Sequence, residues 1–191
     1  MKQTVQDAIE THKKLIKQFE ADCVDSVIAA AREIITVIKQ GGTIYICGNG
    51  GSAADAQHIA GELIGRFRRE RKGFPAVALT TDTSVITSVG NDYGFEDIFT
   101  RQVEALVEPR DLLWAFSTSG TSKNIVAAAQ LAKEKGAAVL AFTGKSNTPL
   151  EEISDLCVCI DAPTTSSAQE IHQLAYHTIC DLVETDLSEA E

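Results

Sequence analysis

The chain has 191 residues, 44% apolar and 6% aromatic, and 17 Lys and Arg against 27 Asp and Glu give it a formal charge of −10. That balance repels nucleic acid and anionic bilayers within a Debye length, so neither is an expected partner. No apolar run nears the ~20 residues of a membrane-spanning helix, and Met1–Glu20 lacks the apolar block of a signal peptide. The expectation is one globular, cytoplasmic domain over residues 1–191.

Residues 3 to about 40 carry Ile9, Leu15, Ile16 and Phe19, then Val27, Ile28, Ala31, Ile34, Ile35 and Ile38, at helical spacing. They predict a pair of helices stopped by Gly41-Gly42. Short apolar runs follow at Thr43–Cys47, Ala76–Leu79, Leu112–Phe116, Ala138–Phe142 and Leu156–Ile160, separated by helical patterns at 52–67, 83–90, 96–107, 122–135 and 167–187. The runs lack polar alternation, as strands do when helices cover both faces of a sheet. This βαβ series predicts a doubly wound, five-stranded parallel sheet of order 2-1-3-4-5 with right-handed crossovers. The core then spans 41–187, behind an N-terminal helical pair at 1–40 and ahead of a frayed acidic tail at 188–191. The basic run Arg66–Lys72 reads as a solvated helix end, favoured there by the helix dipole. Cys23, Cys47, Cys157, Cys159 and Cys180 are odd in number, show no CxxC spacing and sit mostly among apolar neighbours, so they read as reduced hydrophobes.

The first strand ends in Cys47-Gly48-Asn49-Gly50-Gly51-Ser52, where three glycines bring backbone N–H groups close to a ligand. Ser52 is the expected N-cap of the next helix, whose positive end faces the loop. Gly48-x-Gly50-x-x-Ala53 also fits a dinucleotide fingerprint, but the required acid about 20 positions on is replaced by the neighbourhood of Arg68, and Asp82 comes too late. A Walker loop fails too, because Val139 stands where the leading glycine before Gly144-Lys145-Ser146 belongs. The third strand ends in Ser117-Thr118-Ser119-Gly120-Thr121-Ser122, again before a helix. Its hydroxyls suit phosphate oxygens. In the order 2-1-3-4-5 the two loops share the crevice at the topological switch point.

His58 and Glu62, four residues apart on a helix, place an imidazole and a carboxylate on one face, with Asp55 a turn earlier. An exposed His–Glu pair is the competing reading. The last helix adds Gln169, His172, Tyr176 and His177. Gln169 and His177 lie about 12 Å apart along it, so both serve one metal only if the ion sits beside the helix between them or different subunits contribute. His172 reads as a partly exposed bystander.

Gly48-Asn49-Gly50-Gly51-Ser52-Ala53-Ala54-Asp55-Ala56-Gln57-His58 with Glu62, Asn91-Asp92-Tyr93-Gly94-Phe95, Ser117-Thr118-Ser119-Gly120, and Gln169-Glu170 with His177 together resemble the phosphoheptose isomerases of the sugar isomerase (SIS) family. The likeness runs from about Gly41 to Val183. It implies a single SIS domain that converts sedoheptulose 7-phosphate to D-glycero-D-manno-heptose 7-phosphate through an enediol, the first step toward ADP-heptose. Asn49, Gly50, Gly51 and Ser52 match the substrate loop, Asn91 and Asp92 a pair near the sugar, and Ser117, Thr118, Ser119 and Ser122 the phosphate hydroxyls. His58, Glu62, Gln169 and His177 match ligands of one zinc ion per subunit, Glu62 and Gln169 also touch substrate, and Glu62 and His177 form the acid/base pair. A homotetramer with sites near subunit contacts is implied as well. The chain departs from the family at Ser167-Ala168, where Arg-Ile is usual, which bears on sugar preference. A non-catalytic relative, such as a sugar-phosphate sensor or a DnaA initiator-associating protein, would keep the two loops without needing the His/Glu/Gln set.

Overall fold

The structure, a computed structural model, describes residues 1–188. Helices α1 (Lys2–Asp22) and α2 (Val24–Lys39) form the expected N-terminal pair, and β1 (Ile44–Gly48) opens the sheet. The chain continues through α3 (Gly51–Ile64), β2 (Ala76–Ala78), α4 (Thr83–Asp92), a 3-10 turn at Phe95–Asp97, α5 (Thr100–Leu106), β3 (Leu112–Ser117) and α6 (Lys123–Glu134). It ends with β4 (Ala138–Thr143), α7 (Pro149–Ile153), β5 (Leu156–Cys159) and α8 (Thr165–Ser188). The strands pair in parallel in the order β2-β1-β3-β4-β5, as the sequence predicts. Of the tail expected to fray, Ser188 still belongs to α8, and residues 189–191 lie outside the described part.

The central strand β3 shows why the order forms. All six of its residues are buried, and its side chains divide between the faces with the period of two of a strand. Trp114 and Phe116 join Phe142 in the layer beneath α2, α3 and α8, while Leu113 and Ala115 join Val139 and Ala141 beneath α5 and α6. Each such large side chain taken from water contributes about 1.5–3 kcal/mol. Register pairs Gly48 with Phe116 and Ser117 with Thr143, so β1 and β3 finish side by side. That adjacency brings the two ligand loops together.

Two local expectations are corrected. Helix α3 stops at Ile64, and residues 66–72 form an irregular loop instead of a solvated helix end. The loop is held by Glu184 of α8, whose side chain is 0% exposed. Its carboxylate accepts from the backbone N–H groups of Phe67 (2.8 Å), Arg68 (2.7 Å) and Arg69 (2.9 Å), and from Arg71 Nε (3.2 Å). Burial raises the Glu184 pKa, but these donors outweigh it and leave the group below the usual carboxylate range. Arg71 in turn donates to the carbonyls of Glu62 (2.9 Å) and Leu63 (2.8 Å), satisfying α3's free C-terminal groups. His172 is also not an exposed bystander. It is 0% exposed, its Nε2 lies 3.1 Å from the Thr143 carbonyl, and burial pushes its pKa down to about 4.

Candidate active site

The loop after β1 turns at Gly50, whose φ of +56° suits glycine. Gly50, not Ser52, occupies the N-cap of α3, because the turn closes early through Ser52 N–H to Asn49 O at 3.0 Å. Ser52 is thereby carried into the first helical turn, buried at 3% exposure, and faces a cavity. The N–H groups of Ser52, Ala53 and Ala54 close onto the Asn49 and Gly50 carbonyls, which leaves the Gly51 N–H as the leading donor of α3 for an anion. Next to it, a Cβ on Gly51 would stand 2.5 Å from Gln169 Nε2, so the α8 amide packs directly against this loop.

The loop after β3 has the same character. Ser122 caps α6 without a side-chain cap bond, and its Oγ instead takes a 3.0 Å hydrogen bond from Ser117 Oγ. Ser117 and Ser119 hydroxyls lie 3.3 Å apart, and Ser119 Oγ accepts from the Thr121 N–H at 3.2 Å. Asn49 is locked by a reciprocal amide pair with Asn124, both bonds 2.9 Å. Asn124 is 3% exposed, and it belongs to none of the motifs visible in the sequence.

Between the loops lies a cavity of about 240 Å³ lined by Asn49, Gly50, Gly51, Ser52, Phe116, Ser117, Thr118, Ser122, Thr165 and Gln169. Ser119 instead borders a neighbouring hollow of about 220 Å³ that shares Thr118 and Thr165. Asn91 and Asp92, at the exposed end of α4, bond each other at 2.7 Å and line neither space. Larger hollows of about 600 and 790 Å³ lie against Leu112, Ala138 and Leu156 at the strand N-termini and along β2. An open α/β sheet binds ligands at the other, C-terminal end.

Two turns along α3 and α8 from the cavity, His58, Glu62 and His177 converge, with ligand atoms within 4.8 Å of one another. His58 Nε2 is 3.0 Å from Glu62 Oε1 and 3.5 Å from His177 Nε2. Phe67 lies over His177 with ring centroids 5.6 Å apart. Burial first, and then the neighbouring His58 imidazole, push the His177 pKa below its usual value and favour a bare nitrogen. Gln169 is at the cavity, two turns from this trio. Behind His58, Tyr176 Oη lies 3.0 Å from Nδ1 and donates to Asp55 Oδ1 at 3.4 Å. Burial and then the adjacent Asp55 raise the Tyr176 pKa, and burial raises that of Asp55.

An α/β scaffold with glycine- and hydroxyl-rich loops meeting at the strand ends and an imidazole–carboxylate cluster two turns away defines the class, and comparison agrees. The family model of the SIS domain matches residues 9–144. A phosphoheptose isomerase of Roseiflexus sp. (strain RS-1) is 48% identical over 163 residues, 85% of this chain and 83% of that one. Another, from Geobacter metallireducens, is 42% identical over 187 residues, 98% of this chain and 99% of that one. The solved phosphoheptose isomerase of Neisseria gonorrhoeae superposes with a TM-score of 0.91 at 36% identity, covering 96% of this chain and 98% of its own. The chain belongs to the phosphoheptose isomerase family of SIS-domain proteins.

Proposed function

We propose that this chain converts sedoheptulose 7-phosphate to D-glycero-D-manno-heptose 7-phosphate, the first step toward ADP-heptose. The observation that carries the reading is the separation of two kinds of site. Gly51 to His58 is seven residues and Gln169 to His177 eight, so the helices set the cluster about 10–12 Å from the cavity. That is the scale of an extended seven-carbon chain with a phosphate at its far end. The phosphate takes the cavity, where the Gly51 N–H of α3, N–H groups at the start of α6 and the hydroxyls of Ser52, Ser117, Thr118 and Ser122 donate to its oxygens, and Ser119 donates from the rim of the neighbouring hollow. Asn49 and Gln169 contact the sugar, and Asn91 and Asp92, which line neither hollow, are included as sugar contacts on the family resemblance.

Ketose-to-aldose conversion removes a proton from C1 and returns one to C2 through an enediol. Glu62, with its side chain 22% exposed, is reachable and takes the C1 proton. His177 serves the oxygens, giving a proton to O2 as the enediol forms and taking one from O1 as it collapses, while the protonated Glu62 returns its proton to C2. The phosphate end contributes binding energy that orients C1 and C2 at these groups.

The proposal includes zinc, with His58, Glu62 and His177 as ligands; Gln169, two turns away at the cavity, completes the set only if a neighbouring subunit supplies it. Two nitrogens and a carboxylate are a donor set that zinc accepts, and ligand atoms of a tetrahedral zinc stand about 3.3 Å from one another. The observed 3.0 and 3.5 Å separations agree with that spacing. When bound, the ion supplies Lewis-acid polarisation of the carbonyl and hydroxyl. A cytoplasmic setting is supported by five free cysteines, with burial pushing Cys47, Cys157 and Cys180 up to about 12. Among the described residues no helix is long and apolar enough to cross a membrane. A homotetramer is supported by α1, which buries only Leu15 and leaves Val5, Ile9 and Ile16 exposed at 60%, 49% and 40%.

Incubating the purified protein with sedoheptulose 7-phosphate and following the product by NMR tests the reading. Appearance of an aldoheptose phosphate supports it, and an unchanged ketose overturns it in favour of a non-catalytic sugar-phosphate binder. Metal analysis of the same sample tests the zinc assignment. Ser119→Ala removes one hydroxyl from the phosphate network, and a hydrogen bond to a charged group is worth about 1.5–3 kcal/mol. KM should rise about tenfold or more with kcat nearly constant; an unchanged KM in steady-state kinetics removes Ser119 from phosphate binding.

A further inference from the structure

We propose that Tyr176 and Asp55 are positioning residues that fix the tautomer of His58, leaving its Nε2 bare for a metal. The inference rests on the reading of His58, Glu62 and His177 as metal ligands and adds two residues to which that reading gives no role.

Asp55 lies one turn before His58 on α3, and Tyr176, fully buried at 0% exposure, directly precedes His177 on α8. The phenol stands between the imidazole and the carboxylate, 3.0 Å from His58 Nδ1 and 3.4 Å from Asp55 Oδ1. It has one hydrogen to give. If that hydrogen went to His58 Nδ1, the imidazole would carry its own on Nε2, pointing into the cluster and blocking ligation. Asp55 would then lose the only donor it has among the described residues, since its Oδ2 is already buried without a partner there. A buried acceptor left in that state costs about 1–3 kcal/mol. With the hydrogen on Asp55 instead, the phenol oxygen accepts from His58 Nδ1–H. Every polar contact along the chain then has matching donor and acceptor, and Nε2 keeps its lone pair.

Glu62 pulls the other way in the metal-free protein, because its Oε1 lies 3.0 Å from His58 Nε2 and favours a hydrogen there. A bound cation turns Glu62 into a co-ligand and removes that competition. Asp55 and Tyr176 then act together as the outer-shell acceptor that a metal-binding histidine ordinarily has.

The test is zinc affinity, read by competition with a chromophoric chelator, for the wild-type protein, Tyr176→Phe, Asp55→Ala and the double variant. Phenylalanine keeps the buried ring, and unfolding midpoints of the metal-free proteins verify that each variant folds. Tyr176→Phe should weaken zinc about 10- to 100-fold, the usual cost of losing such a partner. The double variant should be no weaker than Tyr176→Phe alone, because Asp55 acts only through the phenol. In zinc-loaded protein the His58 Nδ1 proton should exchange slowly with solvent, and rapidly in Tyr176→Phe. A zinc affinity within twofold of wild type in Tyr176→Phe overturns the proposal while leaving the metal reading intact, and fully additive losses overturn the relay. A wild-type protein that takes up no zinc overturns both.

Discussion

Replacing Glu62 by glutamine should lower kcat by about 10²- to 10⁴-fold, the range for loss of a positioned general base. Glutamine keeps the length and shape of the side chain and still offers an oxygen to His58 Nε2, now 3.0 Å from the carboxylate. It cannot accept the C1 proton. The cavity formed by the loops after β1 and β3 does not include residue 62, so the phosphate end of the substrate keeps its contacts. Binding measured by calorimetry should therefore change little while turnover collapses. Zinc content measured on the same samples separates loss of a base from loss of a ligand. Near-normal turnover in Glu62→Gln would remove Glu62 as the base.

Glu184→Gln should be the most destabilising single change considered. The carboxylate serves three consecutive backbone N–H groups and Arg71, and both side chains of that pair are almost wholly buried, at 3% and 0% exposure. Removing one member of a buried pair costs about 3–5 kcal/mol, since the other charge is left uncompensated. In a chain of this size that corresponds to a fall in Tm of roughly 10 °C. The damage should reach the cluster, because the freed loop carries Phe67, which packs on His177, and Arg71, which holds the Glu62 carbonyl. Acid should act similarly. With its native pKa depressed, Glu184 contributes stability that is complete above the unfolded value of about 4.3 and lost as pH falls through the native one. His172, with a native value of about 4, adds a loss that begins near its unfolded value of about 6.5. Thermal unfolding of wild type and Glu184→Gln from pH 7 to 3.5 reads both effects. The variant should lack the lower part of the acid slope, and a Tm within 2 °C of wild type at pH 7 would refute the structural role.

The strand order and the meeting of the two loops were legible because their signals are local. Apolar runs such as Leu112–Phe116 alternate with amphipathic ones, and glycine or serine clusters close the first and third strands. The convergence of His58 and Glu62 was legible from their spacing, but the approach of His177 depends on how α3 packs against α8. Misreadings came where tertiary contacts overrode local pattern. Arg71 looks like surface charge until Glu184, over a hundred residues later, is seen to bury it. The signal available was an acid following Val183 on a face otherwise given to Ile179 and Cys180. His172 belonged by periodicity to either side of its helix, and burial against Phe116 and Phe142 decided it. Tyr176 was visible in the sequence, but its role depends on a three-body geometry that spacing alone does not encode.

The cavity between the loops is lined by amides, hydroxyls and one aromatic ring, with no lysine or arginine among its own lining residues, and Lys145 in the neighbouring hollow gives its ammonium to the Ala162 carbonyl at 2.9 Å. A dianion held this way is selected by the directions of fixed donors, so raising ionic strength has little attraction to weaken inside the pocket. Outside it, counterions mask the repulsion between an acidic protein and its approaching substrate. Added salt should therefore speed diffusional capture while barely loosening the bound complex, the reverse of what an arginine-lined cleft would show.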